Sequence, residues 1–563
     1  MCATCTTDLL IRERGKISDS KEALTVADFD VIVVGAGAGG GVAAWSFAMR
    51  GKRVLLIERG HSYPPGWQGR DLLRNHRFSV YGHSTGPDPD GNPRTVVSPS
   101  GSKRIVKPFE GGYQNNAMAV GGGTRVYGAQ AWRFHPLDFE MASTYGVPSD
   151  SSLMDWPISY SDLEPYYERI EHELGVCGGP AAPNLPERRP YPMKPLPPTE
   201  VRSEMLQNSA TGLGWSHQSV PLLLNSEPRA GRAACIRCEF CAGFGCPTDA
   251  KAGTQNTVIP QLLQHAGCEL WTETRVTQLL TDSQDKVVGV EIFRNGNLEW
   301  VRSDVVVLAA GAIESARLLL LTKTPSEPEG VGNNCGLVGR NLQGHYYPGA
   351  QALFDHEIQT ALGPGPSIAV TQFNHGNPGI VGGGMLADDF VMLPVGFARD
   401  RKKPGVPRYG QEFKDWVRFG YRRSCHIFGP VQEIPSPNCR VTLDPNLRDD
   451  LEVPVAQLSG TTHPETIKTA LFMRDRAADW LRATGAKEVW TFPVSLALSA
   501  GQHQAGTCRM GVSSETGVVS SAGVVFGQEN LLICDGSVHV TNGGFNPVLT
   551  IMAAGLRSAE LFN

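Results

Sequence analysis

The sequence predicts an α/β fold: a discontinuous Rossmann-like domain for a dinucleotide, joined to an α+β substrate domain with a β-sheet of its own. Three observations predict it. A βαβ unit near the start carries a glycine-rich turn, a second apolar strand followed by glycine and a helix returns near residue 305, and a third strand–turn–helix follows residue 530. One pattern recurring at such distances implies strands that return to the same sheet. The expected division is 28–140, 230–345 and 496–563 for the nucleotide-binding domain, 141–229 and 346–495 for the substrate-binding cap, and 1–27 for a polar leader.

The first strong element is FDVIVV (Phe29 to Val34), a continuous apolar run of the kind buried on both faces in a parallel sheet. It enters Gly35-Ala-Gly37-Ala-Gly-Gly40, then a small-residue helix (Val42 to Met49), then a second strand, Arg53 to Ile57, that ends at Glu58. Gly35 makes the turn, Gly37 lets a pyrophosphate touch backbone, and Gly40 lets helix and strand pack. Glu58 follows the last glycine by 18 residues, the place of an acid that accepts hydrogen bonds from a ribose hydroxyl pair.

Pro, Gly and Ser crowd residues 61 to 110, which reads as an irregular excursion. The glycine-dense run from Gly111 to Phe134 needs a ligand or another backbone against it. Ser161 with Glu164 forms a capping box for a helix whose apolar stripe is Leu163, Tyr167, Ile170 and Leu174. VVVL (Val305 to Leu308) turns at Gly311 into a helix from Ile313 to Leu321. Residues 345 to 495 alternate like strands between Pro-rich turns and are assigned to covering the substrate. Near the end, Asn530 to Asp535 reads as a strand, with Asn546 and Pro547 as N-cap and first residue of the last helix.

Composition excludes several classes. With 563 residues, 41% hydrophobic and 19% charged, the chain has ample core for two or three domains. A net charge of −5 offers no basic field for a nucleic acid. The uncharged stretch between Asp30 and Arg50 is long enough for a membrane span, but its glycine-rich middle suits a turn. Residues 1 to 29 carry no apolar signal segment, so a cytoplasmic protein with no membrane span is expected.

Four of the 13 cysteines, Cys235, Cys238, Cys241 and Cys246, form C-x2-C-x2-C-x4-C-P. That run is one residue longer than the ferredoxin pattern. Three readings stand side by side: an iron–sulfur cluster, a structural zinc, or an apolar or disulfide-linked loop.

Three blocks give the chain a family resemblance. VGGGTRVYGAQAWRF (Val120 to Phe134), DWPISYSDLEPYY (Asp155 to Tyr167), and HQAGTCRMG (His503 to Gly511) followed by DGSV and FNPVLTIMAAGLR (Phe545 to Arg557) resemble the glucose-methanol-choline (GMC) family of FAD-dependent oxidoreductases, from about residue 29 onward. The resemblance implies that the dinucleotide is FAD and that an alcohol group is oxidised to a carbonyl by hydride transfer to flavin N5. His503, three residues before Gly506, is implied as the base, and Asn546 as the second polar residue at the flavin. A base is required because a hydroxyl is a poor hydride donor until its proton leaves. An amide supplies a donor for the alkoxide that develops. Cofactor contacts are expected from Gly35, Gly37, Gly40, Glu58, Arg59, Gly122, Gly123, Thr124, Val276, Gly311, Asp535, Gly536, Asn546 and Pro547. Asn115, Asn116 and Arg125 are candidates for flavin or substrate contact, and His539 is expected to be structural. Some relatives attach FAD through a histidine in the VGGG block. Here Val126 and Tyr127 stand there and His135 lies beyond it, so noncovalent FAD is expected.

Some multi-subunit sugar dehydrogenases of the family hold an iron–sulfur cluster, which makes that reading of the four cysteines tenable. The block GVGNNCGLVGRNL (Gly330 to Leu342) looks like members acting on sugars and aminoglycosides, which favours a sugar, glycoside or polyol. A hydrophobic alcohol such as a sterol or long-chain alcohol is the alternative substrate, and a non-redox lyase or an electron-relay subunit the alternative role. The electron acceptor is left open among oxygen, a quinone and a redox protein.

Overall fold

A computed structural model describes residues 27–64, 85–108, 110–114, 116–197, 201–495, 498 and 501–562. The first sheet has seven strands. Its parallel part runs Glu269–Trp271, Val54–Ile57, Phe29–Val34, Asn297–Leu308, and Leu531–Ile533 pairs with the far end of Asn297–Leu308. That long strand bends on into an antiparallel meander with Val287–Arg294 and Arg275–Thr281. Three distant stretches therefore meet in one sheet, because each supplies an apolar run that needs cover on both faces.

The helix Ala38–Met49 follows the first strand, beginning four residues before the expected start. Its glycines explain its place. A Cβ on Gly39 would stand 1.8 Å from the Cys534 carbonyl oxygen, and one on Gly40 1.9 Å from that of Gly35. The helix thus lies directly on the turn and on the end of the last strand, with Val548–Leu561 packed beside it.

A second sheet of six strands carries Glu488–Thr491, Gly349–Leu353, Ser424–Phe428, Leu386–Asp388, Ile368–Val370 and Gln218–Ser219 in that order. The long helix Pro464–Ala483 covers it, and Trp480 is fully buried between them. A third sheet was not foreseen. Residues read as an irregular excursion form the hairpin Arg94–Val97 and Lys103–Val106, and the first of these strands pairs in parallel with Pro454–Ser459. The Pro and Gly content of the surrounding loops hid two four-residue strands.

Two helix starts also differ from expectation. The capping box of Tyr160–Leu174 is made by Ser159 and Asp162, not Ser161 and Glu164: the Asp162 N–H donates to Ser159 Oγ over 3.3 Å, and the Ser159 N–H to Asp162 Oδ2 over 2.8 Å. The expected stripe Leu163, Tyr167, Ile170 and Leu174 is buried. The last helix starts at Val548, so Asn546 is not its cap. Among the described residues no helix is long and apolar enough to cross a membrane, and Ala38–Met49 occupies the stretch that suggested one.

Candidate active site

A long cavity opens at the carboxyl ends of the parallel strands, where α/β sheets bind ligands. Of the expected cofactor residues, Gly35, Gly37, Glu58, Arg59, Gly122, Gly123, Thr124, Val276, Gly311, Asp535, Gly536 and Pro547 line it. Gly40 and Asn546 do not. Gly40 serves instead the close packing described above.

Its backbone is shaped for a ligand that comes close. Gly35 has φ +106°, and a Cβ there would meet the Ala309 carbonyl oxygen at 2.4 Å. Gly37, Gly123 and Gly311, by contrast, face open space where a Cβ would stand. Together these three glycines leave room for a ligand to lie against bare backbone on one wall. Glu58 accepts the Ala36 N–H over 3.1 Å and the Gly60 N–H over 2.9 Å, one on each oxygen, which leaves lone pairs for a ribose diol. Burial raises its pKa, against the lowering effect of those N–H groups. Asp535 accepts from the Gly311 N–H at 2.9 Å and the Ser315 hydroxyl at 2.5 Å, and so fixes the second glycine turn at the cavity wall. These features fit a dinucleotide such as FAD.

Ionic partners stiffen one end of the cavity. Glu314, Arg317, Arg275 and Asp449 all line it. Arg94 donates to Glu314 at 2.7 Å, Arg317 to Asp449 at 2.6 Å, and Arg275 also pairs with Asp449. Burial alone would raise the Glu314 pKa, but Arg94 and Arg317 hold it far below the carboxylate range. Sequence reasoning missed this chain because its members come from four separate segments.

His503 also lines the cavity, and it is the only histidine to do so among the described residues. Its φ of +62° is a sparsely occupied conformation for histidine. The Asn542 amide holds it there through a 2.7 Å bond to the His503 carbonyl. His503 Nδ1 lies 2.9 Å from His345 Nδ1 and 3.3 Å from the Tyr347 hydroxyl. The same hydroxyl accepts from Asn546 Nδ2 at 3.1 Å, so Tyr347 bridges His503 and Asn546. Asn546 Oδ1 is buried with no hydrogen-bond partner among the described residues, a costly state for an amide oxygen.

Known proteins resemble this chain over most of its length. Family models described as GMC oxidoreductase match residues 112–347 and 435–555, and an NAD(P)-binding Rossmann-like domain matches 33–84. A 6'''-hydroxyparomomycin C oxidase of Streptomyces lividus is 30% identical over 94% of this chain and 91% of its own. The chain belongs to the GMC oxidoreductase family. As a GMC oxidoreductase it is an FAD-dependent enzyme that oxidises alcohol groups. A paromamine 6'-oxidase of Streptomyces fradiae is 30% identical over the same shares, and the fructose dehydrogenase large subunit of Gluconobacter japonicus 27% identical over 94% and 97%. Among solved structures, a formate oxidase of Aspergillus oryzae has a TM-score of 0.65 at 16% identity, covering 95% of this chain and 98% of its own. A pyridoxine 4-oxidase from Mesorbium loti has 0.61 at 18%, covering 95% and 99%.

Other expected residues fall in and out of this GMC site. Asn116 lines the cavity, whereas Arg125 donates to the carbonyls of Tyr63 and Pro64 and ties down a loop. Asn115 lies outside the described residues. His135 is away from the cavity and caps a short turn by accepting the Leu137 N–H. His539 is fully buried between Phe134 and Trp156.

Among the described residues no group of three His, Cys, Asp or Glu side chains is arranged to hold a metal ion, which leaves the iron–sulfur and zinc readings of Cys235, Cys238, Cys241 and Cys246 without support. Nor are they joined in disulfides. The loop closes around Lys251. Its buried ammonium donates to the carbonyls of Tyr127, Cys241 and Phe244 at 2.8, 2.6 and 2.9 Å. The Gly243 N–H donates to the Val126 carbonyl at 2.8 Å. The loop thus closes on a lysine that lies behind the cofactor wall.

Proposed function

We propose that the enzyme oxidises a hydroxyl carbon of a sugar, glycoside or polyol, with His503 as the base. The observation that carries the catalytic part is the grouping of His503, on the cavity wall, with Tyr347 and through it Asn546. Bound noncovalently, FAD supplies the hydride acceptor. His503 takes the hydroxyl proton of the substrate, which makes the carbon a competent hydride donor. Asn546 holds the substrate oxygen: the amide N–H not used by Tyr347 donates to the alkoxide as charge develops. Support for the substrate class comes from the relatives named for paromamine, 6'''-hydroxyparomomycin C and fructose.

The test is anaerobic mixing of the enzyme with a panel of sugars, aminoglycosides, polyols, sterols and long-chain alcohols. Flavin bleaching by polyhydroxylated substrates is expected, and admitting air or adding a quinone then identifies the electron acceptor. Bleaching by the hydrophobic members alone would overturn the substrate class, and release of an aldehyde from an oxidised flavin would make the enzyme a lyase. His503→Ala should keep FAD and slow bleaching by ~10² to 10⁴-fold. Asn546→Ala should slow it by ~10²-fold. Wild-type rates in both variants would remove these residues from the reaction.

A further inference from the structure

The two ring nitrogens of His503 are not equivalent, and a second histidine decides between them. His345 is almost wholly buried, at 1% exposure. Its Nε2 lies 2.9 Å from the carbonyl oxygen of Asn542 and 2.9 Å from that of Gly543. A carbonyl oxygen only accepts, so Nε2 must carry a hydrogen. Burial also pushes the His345 pKa down to about 4, which keeps the ring neutral with a single N–H. That N–H is spent on the two carbonyls, and Nδ1 of His345 is left as a lone pair. It sits 2.9 Å from Nδ1 of His503, a contact that bonds only if His503 Nδ1 is the donor.

We propose that His345 is a positioning residue that fixes the tautomer of His503, placing its hydrogen on Nδ1 and leaving Nε2 as the only basic nitrogen. This rests on the reading of His503 as the base. In the proton step, the substrate O–H bond breaks and a new N–H bond forms at Nε2, giving an imidazolium whose Nδ1–H stays on His345. The acceptor at His345 also strengthens its bond as that cation forms. The backbone carbonyls of Asn542 and Gly543 thereby direct the chemistry through two rings, while the Asn542 side chain holds the His503 backbone.

The test is nitrogen NMR of the FAD-bound enzyme labelled with [15N]histidine, the His503 signals being assigned by their loss in His503→Ala. The expected spectrum has a protonated Nδ1 and an unprotonated Nε2. The opposite tautomer in the wild type would overturn the proposal. His345→Asn, which keeps an acceptor oxygen near the Nδ1 position, should retain the tautomer and most of the flavin reduction rate. His345→Leu, which removes the acceptor, should lose the tautomer bias and slow reduction by at least ~10-fold without a matching change in substrate affinity. Equal rates in the Asn and Leu variants would also overturn it. The parent reading fails separately: if His503→Ala reduces its flavin at the wild-type rate, the base lies elsewhere even where the spectrum shows the Nδ1–H form.

Discussion

Gly37 faces open space on a cavity wall, whereas Gly39 and Gly40, two and three residues on, have backbone within 2 Å of where a Cβ would stand. The same residue type therefore serves two purposes within one turn. A Gly37→Ala variant should fold, because its Cβ meets no protein atom within 4 Å, yet lose FAD. Gel filtration followed by absorbance at flavin and protein wavelengths measures this, and a full complement of bound FAD would refute it. Gly37, Glu58 and His503 were legible in the sequence because each sits in a short block whose spacing carries the chemistry. His345 and Tyr347 were not. They meet His503 across 158 and 156 residues, and only the return of the chain through the second sheet makes them neighbours.

Secondary elements were legible where apolar runs are long and lost where strands are short. Phe29–Val34 has the expected bounds, while the hairpin at Arg94–Val97 and Lys103–Val106 vanished among Pro and Gly. In the cysteine loop, the buried lysine five residues beyond the last thiol was not legible as an organising residue. Lys251→Met should test the element. Removing the ammonium leaves the carbonyls of Tyr127, Cys241 and Phe244 without their donor. At about 1 to 3 kcal/mol for each buried unsatisfied group, stability should fall by roughly 3 kcal/mol or more. Tyr127 lines the cofactor cavity, so FAD affinity should weaken as well. A urea midpoint and FAD titration equal to those of the wild type would show that the lysine bears no such load.

For the whole molecule, buried histidines set a pH dependence. Burial lowers the pKa values of His345, His426 and His539 to about 4 each. In the unfolded chain they titrate near ~6.5. Between these values the unfolded state binds more protons, so stability is fully present above ~6.5 and is lost as pH falls toward 4. The buried carboxylates Glu58, Asp388 and Asp535, raised by burial, act in the opposite sense. The urea midpoint of the FAD-bound enzyme should therefore fall on acidification from pH 7 to 5. A flat or rising midpoint would mean that these rings are charged when folded.

The strand Leu531–Ile533 and the helix beside Ala38–Met49 also impose an order on synthesis. The first strand leaves the ribosome about 500 residues before its sheet can be completed, which at ~5 to 20 residues per second is on the order of half a minute to two minutes. For that interval Val31 and Val33 have only the next helix and strand, through Ala43, Phe47 and Leu56, to pack against, and the cofactor cavity lacks the wall that Asp535, Gly536 and Pro547 supply. The flavin must therefore be taken up after translation of the last strand, and during the wait the apolar first βαβ unit depends on whatever shields nascent chains from aggregation.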